Sequence, residues 1–206
     1  MNTRLKNWLE CHEALSPFQA GFRPGKHAQG ACWRVVEEVI SVFRDRAQVQ
    51  AVSLDIQAAY DSVWRNALPA KMKQKNLPQY MIYWSRSFLT SRSCWVKVGD
   101  STVWCSPECG LPQGPPLSPT LFLIYIDDLL VKLVHVGVEC QAYADDVLTW
   151  HRDGHCVGLA APEIIQAMKT VDSWAQQWRL QFNPQKSAAI CFLVPGFRSH
   201  RSFKLD

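Results

Sequence analysis

The chemistry of this chain gathers around Ala142-Tyr143-Ala144-Asp145-Asp146-Val147-Leu148, where two adjacent carboxylates interrupt an apolar run. The pattern reads as strand, tight turn, strand, with both acids at the turn. An isolated Asp-Asp is first of all turn chemistry, because Asp bonds its own backbone there. A second reading starts from cost. Two acids at the tip of a buried hairpin need something positive nearby. A divalent cation such as Mg²⁺, which takes carboxylate oxygens together with substrate phosphates, is one solution. Asp55 offers a third carboxylate, closing the apolar run Ala51-Val52-Ser53-Leu54. It serves either as the N-cap of a following helix or as a partner of Asp145 and Asp146 across neighbouring strands. Three carboxylates on two strand ends can hold two metal ions ~4 Å apart, the arrangement used for in-line phosphoryl transfer.

A second pair, Asp127-Asp128, lies inside the helical run Tyr125-Ile126 to Leu129-Leu130. Successive helical side chains diverge by about 100°, so these two acids cannot easily share a metal. One is expected to be exposed and the other to lie near a helix end.

Positioning these acids requires strands and helices in alternation. A short helix is expected over Thr3–Leu15, then a Pro- and Gly-rich loop over Ser16–Gly30. Ala31–Ala47 has an amphipathic pattern, with Trp33, Val36, Val39, Ile40 and Phe43 on one face. Gln50–Ile56 reads as a buried strand. Ala58–Lys75 reads as a helix that Pro69 kinks or splits, and a further helix starts at Pro78 and runs to Thr90. Cys94–Val98 and Thr102–Cys105 alternate around Gly99-Asp100-Ser101, a hairpin signal. Gly110–Pro119 is a loop with four prolines, leading into an apolar helix over Ser118–His135. Glu139–Tyr143 and Val147–Trp150 form the acidic hairpin. A helix over Pro162–Phe182 is broken by Asn183-Pro184, and Ala188–Val194 is a last strand. This order implies an α+β fold with a mostly antiparallel sheet backed by helices.

Composition bounds the rest. With 206 residues and 48% hydrophobic content the chain can bury one good core. A net charge of +4 is compatible with a polyanionic partner without demanding one. The eight cysteines include no CxxC pair, which argues against a zinc finger. Free thiols in a reducing, intracellular compartment are expected. No apolar run reaches the ~18 residues of a membrane span, so no membrane partner is expected.

Taken together, the motifs resemble those of reverse transcriptases. Ala51-Val52-Ser53-Leu54-Asp55-Ile56-Gln57-Ala58-Ala59-Tyr60-Asp61 is similar to the first palm motif. Gly110-Leu111-Pro112-Gln113-Gly114-Pro115-Pro116-Leu117-Ser118-Pro119 is similar to the second, and Ala142-Tyr143-Ala144-Asp145-Asp146 to the third. Asn183-Pro184-Gln185-Lys186-Ser187 before a strand resembles the fourth. Ser16-Pro17-Phe18-Gln19-Ala20-Gly21-Phe22-Arg23-Pro24-Gly25 resembles the finger motif of non-LTR retrotransposon enzymes, and the set is most similar to jockey-like and related LINE polymerases. Any one motif is weak; five in order are specific.

The resemblance implies a right-hand polymerase palm with partial fingers, and RNA-directed DNA synthesis with two Mg²⁺ ions, Mn²⁺ substituting. It implies Asp55, Asp145 and Asp146 as metal ligands, with the backbone carbonyl of Ile56 beside them. Tyr60 would stack under the incoming sugar, and Gln113 and Gly114 would line the nucleotide and template side. Lys186 would stand near the leaving phosphate, and Arg23 would reach from the fingers toward phosphates. Residues 1–48 would be partial fingers, 49–195 the palm with a finger insertion, and 196–206 a polar tail where a truncated thumb begins. The implied partners are an RNA template, a DNA primer, deoxynucleoside triphosphates and the rest of a parent polyprotein carrying endonuclease and thumb. A chain without a thumb also admits an inactive retrotransposon remnant or a domesticated, non-catalytic RNA-binding module.

Overall fold

The computed structural model describes residues 1–90, 92–99, 101–105, 109–153 and 160–193. The end of the last expected strand at Val194, the tail 196–206 and Asp100 of the expected hairpin turn lie outside them. Twelve elements follow in chain order: α1 (Asn2–Cys11), α2 (Ala28–Arg44), β1 (Gln48–Leu54), α3 (Leu68–Gln74), α4 (Gln79–Leu89), β2 (Cys94–Val98), β3 (Ser101–Cys105), α5 (Leu117–His135), β4 (Glu139–Tyr143), β5 (Asp146–Asp153), α6 (Pro162–Trp178) and β6 (Ala188–Phe192). The main sheet has the order β4-β5-β1-β6, antiparallel throughout, and β2-β3 stands apart as a hairpin.

β1 is buried on both faces, and its alternation sorts two cores. Val52 and Leu54 join the large core with α1, α3, α4, α5 and α6, while Val49 and Ala51 join Val42 and Trp150 beneath α2. The middle of the large core is α5. From Leu117 to Leu133 most of its side chains are buried, including Phe122, Tyr125 and Leu129 at 0% exposure. A helix apolar all round must be enclosed on every side, and α1, α3, α6 and β4 enclose this one.

Four expectations need correction. Three of the five residues read as the apolar face of α2 are turned outward: Trp33, Val36 and Ile40 are exposed, at 60%, 42% and 42%, while Phe43 is half-buried and Val39 packs inward. Beside Val39, the helix packs through Ala31, Val35 and Val42, which the expected face left out. Arg34 also faces the sheet, its guanidinium lying over Phe18 at 4.5 Å and bonding Glu139 at 3.1 Å.

Pro69 does not kink a long helix. Residues 57–62 form turns, Arg65–Ala67 a 3₁₀ turn, and Pro69 stands at the start of α3, where its missing N–H has no helical partner to lose. At the other end of the chain, α6 stops at Trp178 rather than Phe182, because Arg179 turns left-handed with φ 58°.

Asp127 and Asp128 are the fourth correction. Asp127 is only 2% exposed, in the middle of α5, and pairs with Lys75; Asp128 is half-buried and pairs with Lys71 at 2.5 Å. Lys71 on α3 and Lys75, which caps the helix, are four residues apart, so the end of α3 supplies a cation to each acid. Lys71 is itself 2% exposed, with its ammonium 3.7 Å from the Trp178 ring centre and 4.8 Å from that of Trp174.

Candidate active site

The site begins with a register. β1 pairs β5 so that Leu54 faces Val147, which sets Asp55, the residue directly after β1, level with Asp146 at the start of β5. β4 and β5 join through a two-residue turn, with Tyr143 opposite Asp146 and Ala144-Asp145 between them. Ala144 has φ 59°, in the left-handed region that a side chain disfavours. The turn puts Asp145 directly before Asp146, the first residue of β5.

Asp55 is fixed by the loop before β6. Its carbonyl accepts from Asn183 N–H at 2.8 Å, and its own N–H donates to Ser187 Oγ at 3.2 Å. Gln57 N–H donates to Gln181 O at 2.8 Å, completing an antiparallel bridge between Ile56 and Phe182. The bridge spends the carbonyl of Asp55 and the amide of Gln57, leaving the carbonyl of the buried Ile56 out of it. Asp55 is therefore not a helix N-cap here. Lys186 belongs to the same loop, where Asn183 O accepts its N–H at 3.2 Å, and its side chain is exposed.

No cation pairs with Asp55, Asp145 or Asp146 among the described residues. The Asp146 carboxyl is raised above the ordinary carboxylate range, first by partial desolvation, then by the charges of Asp145 and Asp55. These acids feel one another, as uncompensated neighbours must. They do not close into a cage: among the described residues no three acidic, His or Cys side chains converge as a metal-binding group. The donor set suits a hard divalent cation in chemistry, and it is open rather than preformed.

Tyr60 lies in the turn after Asp55 rather than at a helix start, with its ring stacked on Phe122 at 5.1 Å between centres. Burial, and secondarily the Asp145 charge, push its phenol up to about 12, so it remains neutral at ordinary pH. The Pro-rich loop docks on the same turn. Leu111 N–H donates to Tyr60 O at 2.7 Å and Gly110 N–H to Val63 O at 2.8 Å. A Cβ at Gly110 would lie 2.8 Å from Asp61 O, so only glycine permits this approach. Gln113 Nε2 donates to Asp61 Oδ1 at 3.3 Å, and Gly114, with φ 100°, is exposed. The loop carrying Gln113 and Gly114 thus joins the acidic trio through Tyr60.

Arg23 stands elsewhere. It makes a two-point pair with Glu10 of α1, at 2.9 and 2.7 Å, and donates to the carbonyls of Ser16 and Gln19 at 2.8 and 3.2 Å. A planar guanidinium so engaged braces its own loop, in place of the expected reach toward phosphates.

Residue-by-residue reading missed Ser187, Asp61 and Gln19. All three flank recognised motif residues, but their roles are contacts to distant segments, which spacing does not encode.

Comparison with known proteins agrees with this geometry. Residues 1–204 match the family model described as reverse transcriptase (RNA-dependent DNA polymerase). The chain is 30% identical over 198 residues to a probable RNA-directed DNA polymerase from transposon BS, and 29% identical over 198 residues to the RNA-directed DNA polymerase from mobile element jockey, both of Drosophila melanogaster. These alignments cover 93% and 92% of this chain but 22% and 21% of the relatives, so the chain spans about a fifth of their length. Among solved structures, telomerase from Candida tropicalis in complex with a TWJ fragment of telomeric RNA matches with a TM-score of 0.68 at 12% identity, covering 92% of this chain and 32% of that one. At that identity the likeness is one of fold, and the fold is the α+β polymerase palm with its mostly antiparallel sheet. By motif order, strand register and a family match over almost its whole length, the chain belongs to the reverse transcriptase (RNA-dependent DNA polymerase) family.

Proposed function

We propose that this chain carries the catalytic centre of an RNA-directed DNA polymerase, which adds a deoxynucleotide to the 3′-hydroxyl of a DNA primer paired to an RNA template. The observation that carries the reading is the β1–β5 register. It sets Asp55 level with Asp146, the chain neighbour of Asp145, with no cation paired to the three among the described residues. Their mutual repulsion is tolerable if a cation arrives with the substrate.

Asp55, Asp145 and Asp146, with the carbonyl of Ile56, would hold Mg²⁺, two ions in all, or Mn²⁺ in their place. Such ions favour the attacking oxygen in its deprotonated form and offset charge on the leaving pyrophosphate. Tyr60 would form a neutral platform under the incoming sugar, its ring already fixed on Phe122. Gln113 and Gly114 would line the nucleotide and template side. Lys186, exposed on the loop that holds Asp55, would bring positive charge to the leaving phosphates. Residues 1–48 would act as part of the fingers and 49–195 as the palm. Template, primer and thumb contacts would be completed by the rest of a parent polyprotein that also carries an endonuclease.

The test is primer extension on an RNA template with Mg²⁺ or Mn²⁺, comparing the chain with Asp145→Ala. Incorporation by the wild type alone supports the reading. Equal incorporation by both overturns it, and RNA binding kept by both without incorporation would mark a non-catalytic RNA-binding module.

A further inference from the structure

The acidic turn is not held by its own hairpin alone. Ala144 carries a side chain in the left-handed region, at φ 59°, a conformation disfavoured by its Cβ that persists only where its surroundings impose it. The imposing group comes from the other end of the chain. Gln19, 1% exposed, accepts from Ala144 N–H through Oε1 at 3.0 Å and donates through Nε2 to Ala144 O at 3.0 Å. The primary amide grips both polar groups of one peptide residue, as a neighbouring strand would.

The backbone around it does the same. Phe18 O accepts from Ala142 N–H at 2.8 Å, and Ala20 N–H donates to Ala142 O at 2.9 Å, a parallel bridge of Gln19 with Ala142. Gly21 closes the contact. Its N–H donates to Gln19 Oε1 at 2.8 Å, and a Cβ there would stand 2.1 Å from Ala144 N and 2.8 Å from its Cα. Both of those atoms are backbone, so neither can swing away.

The loop is itself anchored at both ends. Ser16 N–H donates to Asp127 Oδ1 of α5 at 2.6 Å, and Arg23 ties the carbonyls of Ser16 and Gln19 to Glu10 of α1. A continuous set of contacts therefore runs from Glu10 through Arg23 and Gln19 to Ala144, the residue before Asp145.

We infer that Gln19 is a positioning residue for Asp145, clamping Ala144 so that the acidic turn holds one geometry toward its cation, with Gly21 and the Arg23–Glu10 pair maintaining the clamp. The inference rests on the polymerase reading of Asp145. Partners that orient metal ligands typically cost 10- to 100-fold in metal affinity when removed. That scale fits Gln19, whose carbonyl oxygen and amide nitrogen would both be lost while the volume stays in Gln19→Met.

The experiment uses the 206-residue chain with Gln19→Met, Gly21→Ala, Asp145→Asn and Thr149→Val. Thr149 is 0% exposed and donates to Glu139 O at 2.9 Å, so Thr149→Val removes a buried bond of the same sheet away from the turn. Two quantities are read: amide hydrogen exchange at Ala144–Asp146 without metal, and Mn²⁺ affinity from the free-ion EPR signal. Gln19→Met is expected to speed exchange at the turn and to weaken Mn²⁺ about tenfold, Gly21→Ala at least as much. Thr149→Val should lower the melting temperature and leave both readings near wild type. Unchanged exchange at Ala144 in folded Gln19→Met overturns the clamp, as does Mn²⁺ affinity that falls equally in Thr149→Val. If wild type binds Mn²⁺ no better than Asp145→Asn, the active-site reading fails and the purpose assigned to Gln19 fails with it, while exchange still decides whether the clamp orders the turn.

Discussion

Asp127-Asp128 and Asp145-Asp146 are the same dipeptide put to opposite uses. In α5 each acid has its own lysine, Lys75 for Asp127 and Lys71 for Asp128, and each takes a further bond, from Ser16 N–H and Trp174 Nε1–H respectively. At the β4–β5 turn the acids have Asp55 for a neighbour and no paired cation among the described residues. The first pair is closed electrostatically and ties the loop after α1 to α5, and α5 to the end of α3 and to α6. The second is left open, a cost that folding alone would not retain. Compensation, rather than the presence of paired acids, separates the structural pair from the candidate functional one.

The sharpest way to break this contrast is to neutralise one acid of each pair. Asp145→Asn should lower nucleotide incorporation by about 10²–10³-fold or more, on the scale of removing a charge-stabilising group from a reaction centre, while leaving the metal-free melting temperature unchanged or raised. A large loss of stability in that variant would show the turn acids to be structural. Asp128→Ala should do the reverse. It leaves the Lys71 ammonium buried without its counter-charge, which typically costs about 3–5 kcal/mol, measurable by urea denaturation.

Addition of cation should distinguish the pairs next. At about a hundred times its Kd, Mn²⁺ should stabilise the wild type and Asp128→Ala alike by about 2.7 kcal/mol and Asp145→Asn much less, read by calorimetric melting. Equal stabilisation of all three would place the ion elsewhere.

pH offers the finest tests. Burial holds the Lys71 ammonium down at about 8, against the opposing pull of Asp128. Without Asp128 the folded value falls further, while the unfolded lysine keeps its ordinary one. A lysine lowered in the folded state penalises folding below that folded pKa, and the penalty lifts as pH rises through it. The stability gap between wild type and Asp128→Ala should therefore narrow as pH climbs toward about 8. Asp146 runs the other way. Its folded carboxyl is raised, so its contribution is fully present below the unfolded value and is lost as pH rises through the folded one. Asp146→Asn should be slightly more stable than wild type at neutral pH, the difference vanishing in acid.

Much of the site was legible in the chain. Asp55 closes an apolar strand and Asp145-Asp146 interrupts another, and acids so placed announce themselves because apolar flanks leave them nowhere to go. The strand bearing Asp55, the long helix α5 and the acidic hairpin follow from local patterning for the same reason. The outward turn of Trp33, Val36 and Ile40 was not legible: the periodicity of α2 allows an offset apolar stripe, and only packing against β1 and β4 selects Ala31, Val35 and Val42 beside Val39. Nor were the lysine partners of Asp127 and Asp128, although Lys71 and Lys75 carry the right spacing to match them.

The sequence by itself determined which residues could do chemistry and the period of the elements that bear them, because charge, turn chemistry and hydrophobic spacing act over a few residues. Tertiary structure decided which acids were neutralised, that Arg23 braces a loop, and that Gln19 reaches Ala144 from 125 positions away. Those outcomes depend on which distant side chains arrive within bonding distance, and packing alone settles that.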